Sequence, residues 1–310
     1  MPTPADIPTM RLTDVDGAEL EIHDRGSGEP VVFIHTSRDE WYAVLGEPAL
    51  AERYRLVHYH RRGYGDSTSH GVPLSIAEHA ADCRAVMSHL DIDRAHVVAL
   101  SGAGTIQLQL ALDFPDAVHS LALLEPLLPT VTERFDEQSS EWTDVLAVAM
   151  PLLEEGRRAE ALDTLFRYLG GSDYREEADQ HLPPGWFERI IADWDSGFQH
   201  DFVAMNSWPF DAEDAARITA PVLNVKASRS TNLHHAYHEA IRTWIPHAEN
   251  VVLPDTGHFM PQTNPKATAE LLADFFSRHP LDPWHHGATA APQRGGAEVA
   301  TSTTAEGGST

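Results

Sequence analysis

The sequence predicts an α/β fold, with a mostly parallel central sheet, helices on both of its faces and a helical insertion. Short apolar runs such as residues 31–35 predict strands, because a strand buried on both faces lacks the polar alternation of a half-exposed one. Between these runs lie segments with apolar residues at helical spacing, such as residues 75–90. Strands that alternate with helices are typical of parallel sheets, whose ligands bind at the carboxyl ends of the strands.

The elements before residue 126 follow one another in regular order. Asp16-Gly17 favours a tight hairpin turn between two short strands, at 10–15 and 19–23. Pro115 ends a helix, because proline cannot continue the helical hydrogen bonding. The other strands in this part are predicted at 31–35, 54–59, 96–100 and 118–124, and the helices at 45–52, 75–90 and 105–114.

The alternation stops after residue 126, and only helical patterns follow until about residue 215. We therefore predict a core domain of residues 8–126 and 216–278, interrupted by a helical cap at 127–215. The composition then changes to Gly, Ala, Thr, Ser and Pro, which predicts a disordered tail at 279–310. The cap helices are predicted at 141–153, 158–169 and 184–191, the last strands at 221–225 and 250–253, and the last helices at 233–244 and 266–278.

The charge of the chain limits its partners. The formal net charge of −25, from 22 basic and 47 acidic residues, argues against nucleic acid and anionic membranes. The sequence has neither the pattern of a signal peptide nor an apolar run long enough to span a membrane, and its single Cys83 suits a reducing compartment. We therefore expect a cytoplasmic protein. Because arginine far outnumbers lysine and alanine is abundant, a bacterial source with a GC-rich genome is expected.

The segment around Ser101 has the pattern of a nucleophile elbow, a sharp turn between a strand and a helix. Small residues stand at −2, +1, +2 and +3 from the serine, where bulky side chains would clash across the strained turn. The usual pattern is Gly-x-Ser-x-Gly, and here Ala99 and Ala103 replace the two glycines. The pattern predicts a reactive serine at the carboxyl end of a strand.

Four segments of the sequence stand in a recognisable order: the strand ending at His35, the loop 62–67 (RGYGDS), the elbow, and residues 255–259 (DTGHF). With these segments, the chain resembles the α/β-hydrolase family over about residues 8 to 278. The resemblance implies that Ser101 is the nucleophile and His258 the base, with no metal or organic cofactor. A serine hydroxyl needs such a base, and the base needs an acid to orient it.

The acid is where the chain departs from the family pattern. The usual acid position, about five residues after the strand at 221–225, holds Ser230, which carries no charge. Glu125 ends the preceding strand, and certain haloalkane dehalogenases and antibiotic-pathway thioesterases of the family place the acid there. We therefore predict a Ser101–His258–Glu125 triad, with Asp255 as a minor alternative. Glu125→Gln should lower turnover by roughly 10³–10⁴-fold, and Ser230→Ala should do little.

The resemblance also implies an oxyanion hole built from two backbone N–H groups. One belongs to Gly102, and the other to Thr36 or Ser37, between which the sequence leaves the choice open. Three neighbouring residues are assigned to the substrate pocket: His35, Arg38 and Trp41.

Three histidines on a predicted helix suggest a metal site at first sight. His234 and His238 are four residues apart and His235 lies beside them, but no aspartate or cysteine completes a recognisable ligand set. We therefore expect a solvated helix face and no metal. His60 stands where the family often has aspartate, and the sequence gives no reason for that change.

These observations predict a serine hydrolase that cleaves an ester, thioester or lactone through an acyl-enzyme on Ser101. The expected partner is a small-molecule acyl substrate, by analogy in a bacterial secondary-metabolite pathway. A serine at the elbow, rather than an aspartate, argues against an epoxide hydrolase or a dehalogenase. The alternative is a non-hydrolytic protein of the same fold, either a lyase or cyclase or a ligand-binding scaffold. The oligomeric state stays open.

Overall fold

The predicted sheet is present in the computed structural model, which describes residues 9–15, 18–68, 73–136 and 141–281. Its strands in the described residues are Thr9–Val15 (β1), Ala18–Gly26 (β2), Glu29–Ile34 (β3), Tyr54–Tyr59 (β4), Ala95–Leu100 (β5), Val118–Leu124 (β6), Val222–Ala227 (β7) and Glu249–Leu253 (β8). Their order across the sheet is β1-β2-β4-β3-β5-β6-β7-β8. The first two strand pairs, β1–β2 and β2–β4, are antiparallel, and the others are parallel. The predicted fold class is therefore confirmed.

The central strands are apolar because both faces of the sheet are covered. All six residues of β5 are buried, and so are the last five of β3. Successive side chains of a strand point to opposite faces, so alternate residues enter two separate apolar clusters. In β5, Val97 packs into one cluster and Val98 into the other.

The predicted helices are present with one exception, and the structure adds several short helices that the sequence analysis did not predict. The helix expected at 45–52 is a 3₁₀ turn, Val44–Gly46, followed by a separate short helix, because Pro48 lacks an N–H and fits the first turn of a new helix. The helices are Pro48–Ala51 (α1), Ile76–His89 (α2), Ala103–Asp113 (α3), Pro129–Asp136 (α4), Glu141–Glu154 (α5), Arg158–Gly170 (α6), Tyr174–Ala178 (α7), Trp186–Ala192 (α8), Gln199–Asn206 (α9), Ala212–Ala215 (α10), Asn232–Trp244 (α11), Met260–Thr263 (α12) and Pro265–Arg278 (α13).

Helices α4 to α10 lie between β6 and β7 along the chain, where the cap is predicted. Part of this segment has an apolar cluster of its own, which includes Phe166, Trp186 and Trp194. The division into core and cap domains stays a prediction. From residue 282 onwards the predicted tail lies outside the described residues. The Asp16-Gly17 turn lies outside them as well. In the described residues, no helix is long and apolar enough to cross a membrane.

Candidate active site

Ser101 lies at the sharp turn between β5 and α3. Its φ of 55° is in the left-handed region, which a residue other than glycine rarely adopts. Two backbone hydrogen bonds hold the turn: Ser101 N donates to Leu124 O over 3.0 Å, and Leu127 N donates to Ser101 O over 2.9 Å. The strained conformation is therefore fixed by the strand beside it, as expected of a nucleophile elbow.

The small residues after Ser101 let other parts of the chain approach the turn. A Cβ on Gly102 would lie 2.5 Å from Sδ of Met205, in α9 of the predicted cap. A Cβ on Gly104 would lie 2.6 Å from Cβ of Pro126, just after β6. These contacts add a packing reason for small residues to the conformational one that the sequence suggests.

Glu125 and His258 meet at the same edge of the sheet. Leu100 pairs with Leu124 in the β5–β6 register, so Ser101 and Glu125 leave neighbouring strands at the same level. The Glu125 side chain is buried, and its Oε2 lies 2.7 Å from Nδ1 of His258. The structure thus brings the predicted acid and base into contact, while their catalytic roles stay predictions.

Further groups hold the carboxylate of Glu125 in its charged form. Its Oε1 accepts a hydrogen bond from Ala227 N over 2.8 Å and another from the hydroxyl of Ser230. Burial acts to raise the pKa of Glu125, but His234 and His258, together with the Ser230 hydroxyl, lower it to about 2. Ser230, at the family's usual acid position, therefore contacts the acid on the neighbouring strand.

His234 is a member of this group that sequence reasoning missed. Its ring stacks on His258 with centroids 4.1 Å apart and planes 12° apart, and its Nδ1 lies 3.6 Å from Oε2 of Glu125. Burial lowers the pKa of His234 to about 3, against the opposing effect of the Glu125 carboxylate.

The expectation of a solvated helix face is thus wrong for His234 and His238, which are 3% and 7% exposed. Of the three histidines, only His235 is exposed. The signal was present in the sequence, because Ile241 continues the i, i+4, i+7 spacing of the two buried histidines and marks the buried face of α11.

Thr36 connects the loop after β3 to the elbow through two hydrogen bonds. The Thr36 hydroxyl donates to Leu100 O and accepts from Ala103 N, both over 2.8 Å. The backbone amides of Thr36 and Ser37, the two candidates for the oxyanion hole, donate to Oε2 of Glu40 over 3.1 and 3.3 Å. Both candidate amides therefore donate to the buried carboxyl group of Glu40, a residue that sequence reasoning did not single out.

Ser101 and His258 line one cavity together with Gly102, Thr36 and Ser37. Glu40, Tyr64 and Asp201 add polar groups to its wall, but most of the wall is apolar. The apolar lining includes Trp142, Leu165, Phe166, Leu169, Phe198, Phe202, Met205 and Phe259.

Comparison with known proteins identifies the family of this chain. The family model described as alpha/beta hydrolase fold matches residues 29–265. The chain belongs to this family. A fluoroacetate dehalogenase of Burkholderia sp is 28% identical over 299 residues, covering 86% of this chain and 93% of that protein. A soluble epoxide hydrolase of Corynebacterium sp. (strain C12) is 23% identical over 285 residues, covering 85% of this chain and 95% of that protein.

Among solved structures, the protein resembles Est816, described as an N-acyl homoserine lactone degrading enzyme. The two are 25% identical with a TM-score of 0.68, over 86% of this chain and 100% of that one. These comparisons support a hydrolase and leave its substrate open.

In this α/β hydrolase, two of the three residues assigned to the substrate pocket are buried away from the cavity. His35 is 0% exposed, and its Nε2 accepts a hydrogen bond from Arg61 N over 3.0 Å. Trp41 is 0% exposed as well, and its Nε1 donates to Ile34 O over 3.0 Å. Neither side chain lines the cavity of Ser101, so the assignment of His35 and Trp41 to the substrate pocket is wrong.

The third residue, Arg38, contacts the helical insertion outside the cavity. Its Nε lies 2.7 Å from Oδ2 of Asp193, just after α8. Arg38 lines a second, separate pocket with Asp39 and Arg189. Arg38 therefore forms an ion pair with Asp193 of the insertion, and not the substrate contact that its polarity suggested.

A buried polar network also ties α9 to the core of the α/β hydrolase. Asp201 accepts hydrogen bonds from Arg61 and from the hydroxyl of Tyr64, the latter over 2.8 Å, and lies 3.0 Å from Nε2 of His79. Burial acts to raise the pKa of Asp201, but Arg61, His79 and Tyr64 hold it well below its usual value. Of this network, Tyr64 and Asp201 line the cavity.

Two groups of side chains in the described residues could hold a metal ion by geometry. They are Glu125, His234 and His258, and Glu21, His23 and His60, with the ligand atoms of each group within 4.8 Å of one another. In the second group, Nδ1 of His60 lies 2.8 Å from Oε2 of Glu21. This contact gives a structural reason for histidine at position 60.

Proposed function

We propose that this protein is a serine hydrolase that cleaves an ester, thioester or lactone with an apolar acyl group, through an acyl-enzyme on Ser101. The observation that carries the proposal is the 2.7 Å contact between His258 and Glu125, with His258 on the same cavity as Ser101. A strained serine, an oriented imidazole and a buried carboxylate are the three groups that acyl transfer requires.

The geometry supports a definite division of roles. Glu125 accepts the Nδ1–H of His258, which leaves Nε2 unprotonated and able to take the proton of the Ser101 hydroxyl. The serine oxygen then bonds to the acyl carbon, and the carbonyl electron pair moves onto the oxygen, to which the Gly102 N–H can donate. When the intermediate collapses, His258 gives its proton to the leaving group. Water repeats the sequence to release the acid.

The type of nucleophile favours acyl chemistry over the reactions of the named relatives. A serine that displaced a halide or opened an epoxide would form an alkyl ether, which water does not cleave under these conditions. A serine ester is hydrolysed by the same base that formed it. The dehalogenase and the epoxide hydrolase therefore support the hydrolase family but not a substrate for this chain.

The cavity wall supports an apolar acyl group as the recognised part of the substrate. Its aromatic and aliphatic side chains give no charged partner for a polar chain, whereas apolar surface gains about 25 cal/mol for each Å² buried. The lactone substrate of Est816 agrees with this class. The bacterial secondary-metabolite role and the cytoplasmic location stay proposals.

A fluorophosphonate probe and a series of p-nitrophenyl esters of increasing acyl length test the proposal. The probe should label the folded protein, and ester hydrolysis should improve with acyl length until the cavity is full. Ser101→Ala should abolish both, while Ser277→Ala, at an exposed serine of α13, should leave both unchanged. Labelling that persists in folded Ser101→Ala would contradict the proposal. No labelling of the folded protein would favour the non-hydrolytic alternative, a lyase, cyclase or binding scaffold.

A further inference from the structure

Glu21, His23 and His60 form a group of ionisable side chains outside the candidate active site. Glu21 and His23 belong to β2, and His60 directly follows β4. The two strands are antiparallel neighbours, with Ile22 paired to Tyr59 and His60 N donating to Glu21 O over 2.8 Å. Side chains two residues apart on a strand, and side chains opposite each other on paired strands, share one face of a sheet. The register therefore brings all three side chains to the same place.

The possible ligand atoms of this group lie at distances that suit one small cation. Nδ1 of His60 lies 2.8 Å from Oε2 of Glu21, and Nε2 of His23 lies 3.8 Å from Oε1 of the same carboxylate. Two ligand atoms bound at about 2.0–2.1 Å to a tetrahedral zinc ion are about 3.3 Å apart, a value between these two distances. Small side-chain rotations therefore bring the three residues onto one ion.

His23 is the member of the group that an ion pair does not explain. In the part of the chain that the structure describes, its Nδ1 is buried without a hydrogen-bond partner. Its Nε2 is too far from Glu21 for a hydrogen bond. The contact between Glu21 and His60 needs only those two residues. A second imidazole beside the same carboxylate, with a nitrogen that this contact does not use, is what a metal site adds.

The orientation of the rings distinguishes this group from the histidines of the candidate active site. A metal ion binds the nitrogen lone pair, which lies in the plane of the imidazole ring. The stacked rings of His234 and His258 are only 12° apart in plane, so their planes meet far from both rings. The rings of His23 and His60 are inclined at 64° with centroids 5.4 Å apart, so one ion can lie in both planes.

The pocket in front of the group gives a cation access to it. The three side chains are 11–18% exposed, and the exposed Asp66 adds a carboxylate to the same pocket. The two arginines that line this pocket have carboxylate partners, Asp193 for Arg38 and Asp39 for Arg189. Their charges are therefore largely compensated, and the net charge of −25 favours the approach of cations.

Gly65 preserves the position of two of the ligand atoms. Its φ of 56° is in the left-handed region, and it lines the same pocket. A Cβ at this position would lie 2.3 Å from Nδ1 of His60 and 2.9 Å from Oε2 of Glu21. A larger residue would displace both atoms, so the loop after β4 needs glycine here for the group to keep its geometry.

We propose that Glu21, His23 and His60 bind one divalent transition-metal ion of the zinc type. Two imidazoles and a carboxylate are a zinc ligand set, with water in the fourth position. Calcium and magnesium prefer sites made of oxygen ligands, so the two histidines select against them. The ion connects β2 to the segment after β4 and stabilises the folded chain. It lies in a pocket other than that of Ser101, so this inference does not depend on the proposed hydrolase.

Equilibrium dialysis of the full chain against zinc, after chelator has removed any bound metal, tests the proposal. We expect one zinc ion per chain, and no displacement of zinc by excess magnesium. Glu21→Gln and His23→Ala should each weaken binding by at least about tenfold, because even a group that only hydrogen-bonds to a ligand is worth roughly 10–100-fold in metal affinity. His235→Asn, at an exposed histidine, is the matched control.

Thermal unfolding gives a second readout of the same site. Zinc should raise the Tm of wild type and of His235→Asn, because it binds the folded chain better than the unfolded one. The rise should shrink in Glu21→Gln and His23→Ala. Circular dichroism checks that each variant is folded, and if one is not, the other still decides.

Three results would overturn the inference. The first is the absence of stoichiometric zinc binding by wild type. The second is equal zinc affinity in wild type, Glu21→Gln and His23→Ala. The third is zinc binding that His234→Phe removes and Glu21→Gln retains, because it would place the ion beside His258. Fluorophosphonate labelling of Ser101 bears on none of these results, so the failure of the proposed function and the failure of the metal site are distinguishable.

Discussion

Two clusters in this molecule have the same composition and different surroundings. Each consists of one glutamate and two histidines: Glu125 with His234 and His258, and Glu21 with His23 and His60. In each, a histidine Nδ1 lies within 2.8 Å of a carboxylate oxygen, and the pKa of the glutamate is lowered to about 2.

The difference lies in burial and in the neighbours. The side chains of the first cluster are 0–3% exposed, and its two histidines line the cavity of Ser101. The side chains of the second cluster are 11–18% exposed, and all three line another pocket. A histidine–carboxylate pair by itself therefore does not identify the candidate active site. What distinguishes the first cluster is a serine held at positive φ and an apolar cavity beside it.

The largest expected difference between the clusters concerns their glutamates. Glu125→Gln should lower kcat by roughly 10³–10⁴-fold, because the amide does not stabilise the imidazolium form of His258. Glu21→Gln should change kcat less than about threefold, since this cluster lines a different pocket. Ester hydrolysis under saturating substrate measures both, and circular dichroism checks the fold. Similar losses in the two variants would contradict the distinction.

The second difference concerns the histidines that are not assigned a proton-transfer role. His234→Ala should lower kcat by up to about tenfold, because the ring of His258 loses a stacked neighbour whose contribution is about 0.5–1.5 kcal/mol. His234→Phe should restore most of the rate by restoring the stack. His23→Ala is the matched change in the other cluster and should leave kcat unaltered. A rate loss that Phe does not repair would assign His234 a polar role.

Ser230→Ala should have a smaller effect on rate. Glu125 is ionised both before and during the reaction, so the lost hydrogen bond weakens the ground state and the transition state alike. We expect less than about tenfold in kcat, and a decrease of about 1–2 kcal/mol in the free energy of unfolding. Chemical denaturation and steady-state kinetics measure the two quantities. A rate loss as large as that of Glu125→Gln would show that Ser230 shares the acid's role.

The last prediction concerns the pH dependence of stability, where no change in rate is expected. Burial lowers the pKa of His96 and His234 to about 3, so below the ordinary value of about 6.5 the unfolded chain binds protons that the folded chain does not. The free energy of unfolding should therefore fall as the pH drops from about 6.5 towards 3. Thermal unfolding across this range should show a shallower decline for His234→Phe than for wild type. The exposed His235→Asn is the control, and an unchanged decline in His234→Phe would contradict the assignment.

Much of the core could be predicted because its signals are local. The strands Tyr54–Tyr59 and Val118–Leu124 have the predicted bounds, since most of their residues are apolar and all but one residue of each is buried in a sheet covered on both faces. The contact between Glu125 and His258 followed from family order and from the cost of burying an unpaired carboxylate.

The residues that the sequence did not reveal depend on distant contacts. Glu40 has a local capping pattern, but its burial depends on the packing of the cavity wall. His35 and Trp41 stand next to the candidate oxyanion residues in sequence, yet their side chains are buried and hydrogen-bonded to the backbone of Arg61 and Ile34. Proximity along the chain is therefore a poor guide to which residues line the cavity.

The hydrogen bond from the Ser230 hydroxyl to the Glu125 carboxylate has a consequence for the placement of the acid. It shows that a side chain after β7 and one at the end of β6 meet at the same place. A chain with carboxylates at both positions would bring two like charges into contact, and one of them would have to stay protonated. The fold therefore brings the ends of both strands together at one place, which accommodates a single charged carboxylate.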